Sequence, residues 1–249
     1  GDLVTAESWS NLTVNESFAD YSEYLWNEYK YGKDEADYKR LKSLRNFKAD
    51  PRNFGKDLVR FNYESREDMF DGVSYNKGGG ILHMLRNYLG DDAFFAGLSD
   101  YLKTNEYGTG EAHQLRLSLE KVSGKDLNWF FNQWYFGKGY PKLEVKSTFD
   151  PMKKQVTVNV AQTQEEKFEF PLSIDVLENG KISRKEVWVN AKSKNDFVFD
   201  VTKNPELINA NPEGLLLSDI KQDKTPEQLF LQYTTAKDLY SKYTAIEEA

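Results

Sequence analysis

Two glutamates in the stretch NLTVNESFADYSEYLW, residues 11–26, are the first candidates for chemistry. Val14, Phe18, Tyr21 and Leu25 recur at spacings of four, three and four and make one apolar stripe of a helix. Leu12, Glu16, Ala19, Glu23 and Trp26 repeat those spacings on a second face. A helix that is apolar on more than one side is usually interior. A carboxylate placed there costs several kcal/mol, to order of magnitude, unless it is paired, protonated or bound to a cation. The readings open at this point are an ion pair with Lys or Arg, a partly solvated charge, and a metal ligand. Periodicity does not choose between Glu16 and Glu23. Ala19 and Ser22 are small enough to let another helix approach closely.

The second candidate is MFDGVSYNKGGGILHMLRNYLG, residues 69–90. Tyr75, Gly78, Leu82, Leu85 and Leu89 share a helical line, so a phenol sits at the first turn of an apolar face, with Ser74 or Asp71 available as cap. Gly78, Gly79 and Gly80 permit close helix packing. A phosphate loop is excluded, because the lysine precedes the glycines and no Gly-Lys-Ser/Thr follows. From position alone, Tyr75 reads equally as a core tyrosine with one hydrogen bond. The only two histidines, His83 and His113, read as structural, the second in the first turn of GEAHQLRLSLE. Asn11 and Asn15 fit the glycosylation acceptor pattern but lie in a helix expected to be buried, so the matches read as chance.

These residues need elements to hold them. Helical stripes run over residues 12–31, 34–47, 75–89, 91–105, 110–122 and 127–136, with Gly90, Gly108, Gly124 and Gly137 at the ends and no convincing strand among them. Residues 48–71 read mostly as loop. After FGKGYPKLEV the period drops to two: Leu143 and Val145, then Val156, Val158 and Val160, then Phe168 through Val176 alternate with polar neighbours. Asn179-Gly180 marks a two-residue hairpin. A small antiparallel β-sandwich is expected over 141–221. At Thr225-Pro226-Glu227 a new helix starts, whose stripe of Leu229, Phe230 and Tyr233 finds nothing left to pack against and reads as the opening of another helical domain.

The chain has 249 residues, 39% apolar and 29% charged, with a net charge of -7 and no cysteine. That balance suits a soluble globular protein and argues against a nucleic-acid surface. Disulfides and thiolate metal sites are excluded, and no apolar run is long enough to span a membrane. Opening on GDLVTAESW, with no initiator Met, the sequence reads as a piece of a longer protein; its compartment is not legible.

Taken together, GDLVTAESWSNLTVNESFADYSEYLW, FDGVSYNKGGGILHMLRNYLG and DLNWFFNQWYFGKGYPKLEV resemble the gluzincin zinc aminopeptidases, the alanyl aminopeptidase and leukotriene hydrolase type. In that family an H-E-x-x-H helix is followed by Gln-Trp-Phe-Gly and, eighteen residues after the second His, by the third zinc ligand in an Asn-Glu motif. Gly1-Asp2 would continue that sequence, and three unseen residues with residues 1–15 fill the interval, so the resemblance selects Glu16 as the metal ligand. Glu23 keeps the reading of a paired or solvated charge. Tyr75-Asn76-Lys77-Gly78 matches the family's Tyr-x-Lys-Gly, which implies a catalytic tyrosine. The implied fold is α+β and multidomain: 1–140 as the helical C-terminal half of a thermolysin-like catalytic domain, 141–221 as the sandwich, and 222–249 as the first helices of a C-terminal helical domain.

The resemblance implies a Zn²⁺ enzyme that removes N-terminal residues from peptides with a free N-terminus. Glu16 and two imidazoles would hold the metal, and Tyr75 would donate to the oxyanion. H-E-x-x-H and the domain that captures the substrate's amine are absent from this chain, so its partner is the missing N-terminal part of the same polypeptide. Alone it is expected to be inactive and metal-free, with Glu16 held by water or a neighbouring donor. The competing reading is a homologue that has lost catalysis and serves as a binding scaffold.

Overall fold

The computed structural model describes residues 2–249, which fall into two compact units, one running to Gly139 and the other Tyr140–Ala249. Helices and largely antiparallel sheets are segregated along the chain, an α+β architecture. In chain order the first unit holds β1 (Thr5–Ala6), α1 (Thr13–Tyr31), α2 (Lys33–Ala49), α3 (Gly78–Leu89), α4 (Asp91–Thr104), β2 (Thr109–Gly110), α5 (Ala112–Ser123) and α6 (Asn128–Trp134).

The expectation of no strand in this unit is corrected: β1 and β2 pair in parallel, Thr5 with Thr109 and Ala6 with Gly110. A two-residue bridge is too short for alternation to register in the sequence. Residues 48–71 also contain short 3₁₀ turns at Pro51–Asn53 and Arg66–Met69.

A second correction concerns α1. Its buried face is Thr13, Val14, Ser17, Tyr21, Tyr24 and Asn27, a single stripe that mixes polar and apolar residues. The line through Glu16 is the open side, where Ala19, Glu23 and Trp26 are exposed and Glu16 is half-buried. The helix is therefore interior on one side only. Hydrophobic periodicity missed this because Thr13, Ser17 and Asn27 are buried by hydrogen bonding rather than by apolar character.

The glycines of α3 bring it against α1 and α2. A Cβ on Gly78 would lie 1.8 Å from Ser17 Oγ, and one on Gly79 would lie 2.1 Å from Asp20 Oδ2. A side chain at Gly78 would collide with the buried Ser17, and one at Gly79 would have to push the Asp20 carboxylate aside. Beyond them Ile81, Leu82 and Leu85 are buried, and α6 adds the buried rings of Phe130, Phe131 and Trp134 to the core of this unit.

The second unit holds β3 (Lys142–Asp150), β4 (Gln155–Gln162), β5 (Phe170–Glu178), β6 (Lys181–Val189), β7 (Lys194–Asp200), β8 (Leu207–Ala210), β9 (Asp219–Lys221), α7 (Pro226–Thr235) and α8 (Leu239–Glu248). One sheet has the order β7-β4-β3-β9 and the other β6-β5-β8. Val145, Val156, Val158, Val160, Leu172 and Ile174 are buried, as the alternation predicts. Asn179 and Gly180 both take positive φ, 53° and 70°, the geometry of the tight hairpin their sequence signals. One edge departs from the antiparallel expectation, since β9 pairs with β3 in parallel.

Thr225 caps α7 reciprocally with Gln228. Of the expected stripe, Leu229 is buried, while Phe230 and Tyr233 remain 67% and 46% exposed. What ties this hairpin down is polar: Lys224 Nζ donates to Asn209 on β8 and to Gln232 on α7, and Asn209 donates to Ser241 on α8.

Candidate active site

Glu16 lies in the first turn of α1, on the open side just described. It borders a cleft of about 560 Å³ together with Thr5, Trp9, Asn15, Tyr63 and Phe70. Three separate segments supply this wall, so no local pattern in the sequence announces it.

Tyr75 is placed by a turn of unusual register. Val73–Lys77 forms one π-helical turn leading into α3: Lys77 N–H donates to the Gly72 carbonyl at 2.9 Å, and Gly78 N–H reaches the Val73 carbonyl. Such single π turns are frequent at functional sites. This is also why Tyr75 is not on the buried α3 line that the sequence suggested. The turn shifts the side chain, and Tyr75 is half-exposed. Asp71 is the cap, its Oδ1 accepting from Val73 and Ser74 N–H at 3.0 and 3.1 Å, while its Oδ2 pairs with Lys56 at 2.7 Å and Arg60 at 2.8 Å. Ser74, the other cap candidate, instead donates its hydroxyl to the Met69 carbonyl.

The two candidate residues meet. The Tyr75 phenol stands beside the Glu16 carboxylate, close enough to respond to its charge. Burial first, and then the neighbouring Glu16 carboxylate, push the phenol up to about 12, so it is neutral at physiological pH.

Glu23 belongs elsewhere. It is exposed, beside a small cavity that also borders Asp20, Lys39 and Asn76. Burial and the Glu23 charge raise the Asp20 carboxyl to about 6, against a hydrogen bond from Asn76. His83 is buried against the rings of Tyr21 and Tyr24 on α1, with its Nδ1 3.2 Å from the Tyr21 hydroxyl. Burial, then the charges of Arg40, Lys33 and Arg86, hold it well below the usual imidazole range. His113 stacks on Phe136 with ring centres 4.8 Å apart. Asn11 is buried and accepts from Ala112 N–H, and Asn15 donates to the Val4 carbonyl, so both acceptor-pattern asparagines are engaged in the fold.

A catalytic zinc usually has three protein ligands and one open position. Among the described residues no group of three His, Cys, Asp or Glu side chains stands close enough to hold a metal. The donor set at Glu16 is a single carboxylate beside a phenol, which fits one side of a zinc site and not a whole one.

A family model described as the peptidase family M1 domain matches residues 1–134. The chain belongs to peptidase family M1. M1 peptidases are generally zinc-dependent metallopeptidases. Among curated M1 relatives, aminopeptidase M1 of Arabidopsis thaliana is 32% identical over 156 residues, 59% of this chain and 17% of that protein. Aminopeptidase N of Lactococcus lactis subsp. lactis is 27% identical over 244 residues, 90% of this chain and 28% of that protein. A crystal structure of Legionella pneumophila aminopeptidase A in complex with aspartic acid superposes with a TM-score of 0.82 at 20% identity, covering 98% of this chain and 28% of its own, a likeness of fold. This M1 chain therefore spans less than a third of the length of each of these proteins.

Proposed function

We propose that this chain is the part of a zinc-dependent aminopeptidase that carries one metal ligand, Glu16, and the oxyanion donor, Tyr75. The observation that carries this reading is the closeness of the two family-matched positions, with the Tyr75 phenol beside the Glu16 carboxylate and that carboxylate bordering an open cleft. Residues 1–140 serve as the helical part of the catalytic domain, 141–221 as the sandwich and 222–249 as the first helices of a further helical domain. The remaining metal ligands are histidines of the polypeptide upstream.

The metal, when bound, supplies Lewis-acid polarisation of the scissile carbonyl. Glu16, half-buried in the first turn of a helix, borders the cleft with its side chain. Tyr75, neutral because its phenol titrates far above physiological pH, holds its proton beside that carboxylate. As negative charge develops on the substrate oxygen, that proton is the group to meet it, and a preorganised donor of this kind acts without reorganisation at the moment of reaction. The substrate is a peptide with a free N-terminus, cleaved one residue at a time. The chain by itself holds too few ligands and is inactive.

Assay of the polypeptide extended upstream to the length of its relatives, with aminoacyl p-nitroanilides, tests this. Hydrolysis abolished by a chelator and restored by zinc supports the reading. A folded, zinc-loaded extended protein without hydrolysis supports the scaffold instead.

A further inference from the structure

One residue after Glu16 and one before Tyr75, a hydrogen bond joins the two elements that carry them: Ser17 Oγ donates to the Ser74 carbonyl at 2.7 Å, and both residues are buried. Thr13 Oγ1 lies 2.6 Å from the same Ser17 oxygen. A serine hydroxyl has one proton. Ser17 gives that proton to Ser74, because a carbonyl only accepts, so in the other contact Thr13 must be the donor. The result is a directed chain, Thr13 to Ser17 to the Ser74 carbonyl, ending on the peptide that precedes Tyr75.

The π turn makes this link possible. With Gly78 N–H reaching back to the Val73 carbonyl, the backbone donors of this turn are displaced from ordinary α-helical register. The Ser74 carbonyl, inside the turn, is met from outside by Ser17. Gly78 has no side chain to interpose there, since its Cβ would fall 1.8 Å from Ser17 Oγ. Asp71 holds the turn's first N–H groups from the other end.

We propose that Ser17 is a positioning residue for Tyr75: its hydroxyl fixes the π turn on α1, so that the phenol stays in register with the Glu16 carboxylate. This rests on the proposed function in assigning Tyr75 a catalytic role, and its structural half stands apart from it. Deleting the hydroxyl removes the only side-chain bond shown from α1 to this peptide. Other contacts hold the fold, so the loss appears as a looser turn rather than an unfolded chain.

The test reads Tyr75 directly. In this chain, with ¹³Cζ-labelled tyrosine, the Tyr75 resonance is assigned by its loss in Tyr75→Phe, and Glu16→Gln marks its position without the carboxylate. Ser17→Ala is expected to move the resonance toward the Glu16→Gln position or to broaden it. Thr13→Val, which leaves the Ser17 donor in place, is expected to leave it near the wild-type position. In the extended enzyme, Ser17→Ala is expected to lower kcat by about tenfold to a hundredfold, the scale of a misplaced catalytic group, with KM held within about twofold. If Ser17→Ala does not fold, Ser17→Gly, which also makes room against Gly78, takes its place. A resonance unchanged in the hydroxyl-free variant overturns the proposal. So does an equal shift in Thr13→Val. An extended protein that lacks hydrolysis refutes the function and leaves the resonance test standing.

Discussion

The Tyr75 phenol stands beside the Glu16 carboxylate across two elements, the first turn of α1 and a π turn that opens α3. Each residue alone has an ordinary explanation, a half-buried acid and a half-exposed tyrosine. Their contact is specific, because it depends on a cap, a π register and a glycine that all act on one short segment. Tyr75→Phe removes the donor and little else. In the extended enzyme it is expected to lower kcat by about 10² to 10³, with the thermal midpoint nearly unchanged. Steady-state kinetics beside a melting curve check it; a loss of kcat matched by a collapse of the melt would reassign Tyr75 to the fold.

Asp71 organises that segment from its N-terminal end. One carboxylate oxygen accepts two backbone N–H groups, and the other faces Lys56 and the buried Arg60. Asp71→Ala strips the cap and leaves Arg60 without its ion pair. A destabilisation of about 2–3 kcal/mol is expected from those two losses, read from urea unfolding. Asp71→Asn, which can still accept at the cap, is expected to cost less.

Gly79 tests the packing of α3 on α1. A methyl group there meets Asp20 Oδ2 at 2.1 Å, and Asp20 is already crowded by burial and by Glu23. Gly79→Ala would ordinarily favour a helix. Here a loss of about 1–3 kcal/mol is expected, the cost of overpacking. A stabilised variant would show that the helices have room to separate.

His83 gives a pH dependence with a definite sign. Its folded value lies well below the ordinary one of about 6.5, because burial and three nearby cations oppose its charged form. Above about pH 6.5 the imidazole is neutral in both states and contributes nothing to pH dependence. Below it the unfolded chain takes up a proton that the folded chain refuses, so stability falls by about 1.4 kcal/mol per pH unit. His83→Phe is expected to flatten that part of the acid limb, as judged by unfolding free energies between pH 7 and pH 5. Parallel curves for the two proteins would contradict it.

Much of this was legible in the sequence, and the exceptions have physical causes. The β-strands beyond residue 141 follow from alternation, and the Asn179-Gly180 hairpin from turn chemistry, since both signals are local. The proposed site residues rest on the family resemblance, which implies Glu16 rather than Glu23 and places Tyr75 in a Tyr-x-Lys-Gly setting. What escaped was whatever depends on polar burial or on distant partners. Thr13, Ser17 and Asn27 carry the inner face of α1 by hydrogen bonding, which hydropathy counts against burial. The π turn leaves no periodic trace, since it is one shifted register within a single turn. Trp9, Tyr63 and Phe70 come together at the cleft only through the tertiary fold.

Zinc binding by the upstream-extended polypeptide tests the central claim most directly. Metal content after exhaustive dialysis should be about one zinc per chain for the wild type and well below that for Glu16→Ala, with Glu23→Ala retaining the wild-type content. A Glu16→Ala protein that is folded and keeps its full zinc would contradict the assignment.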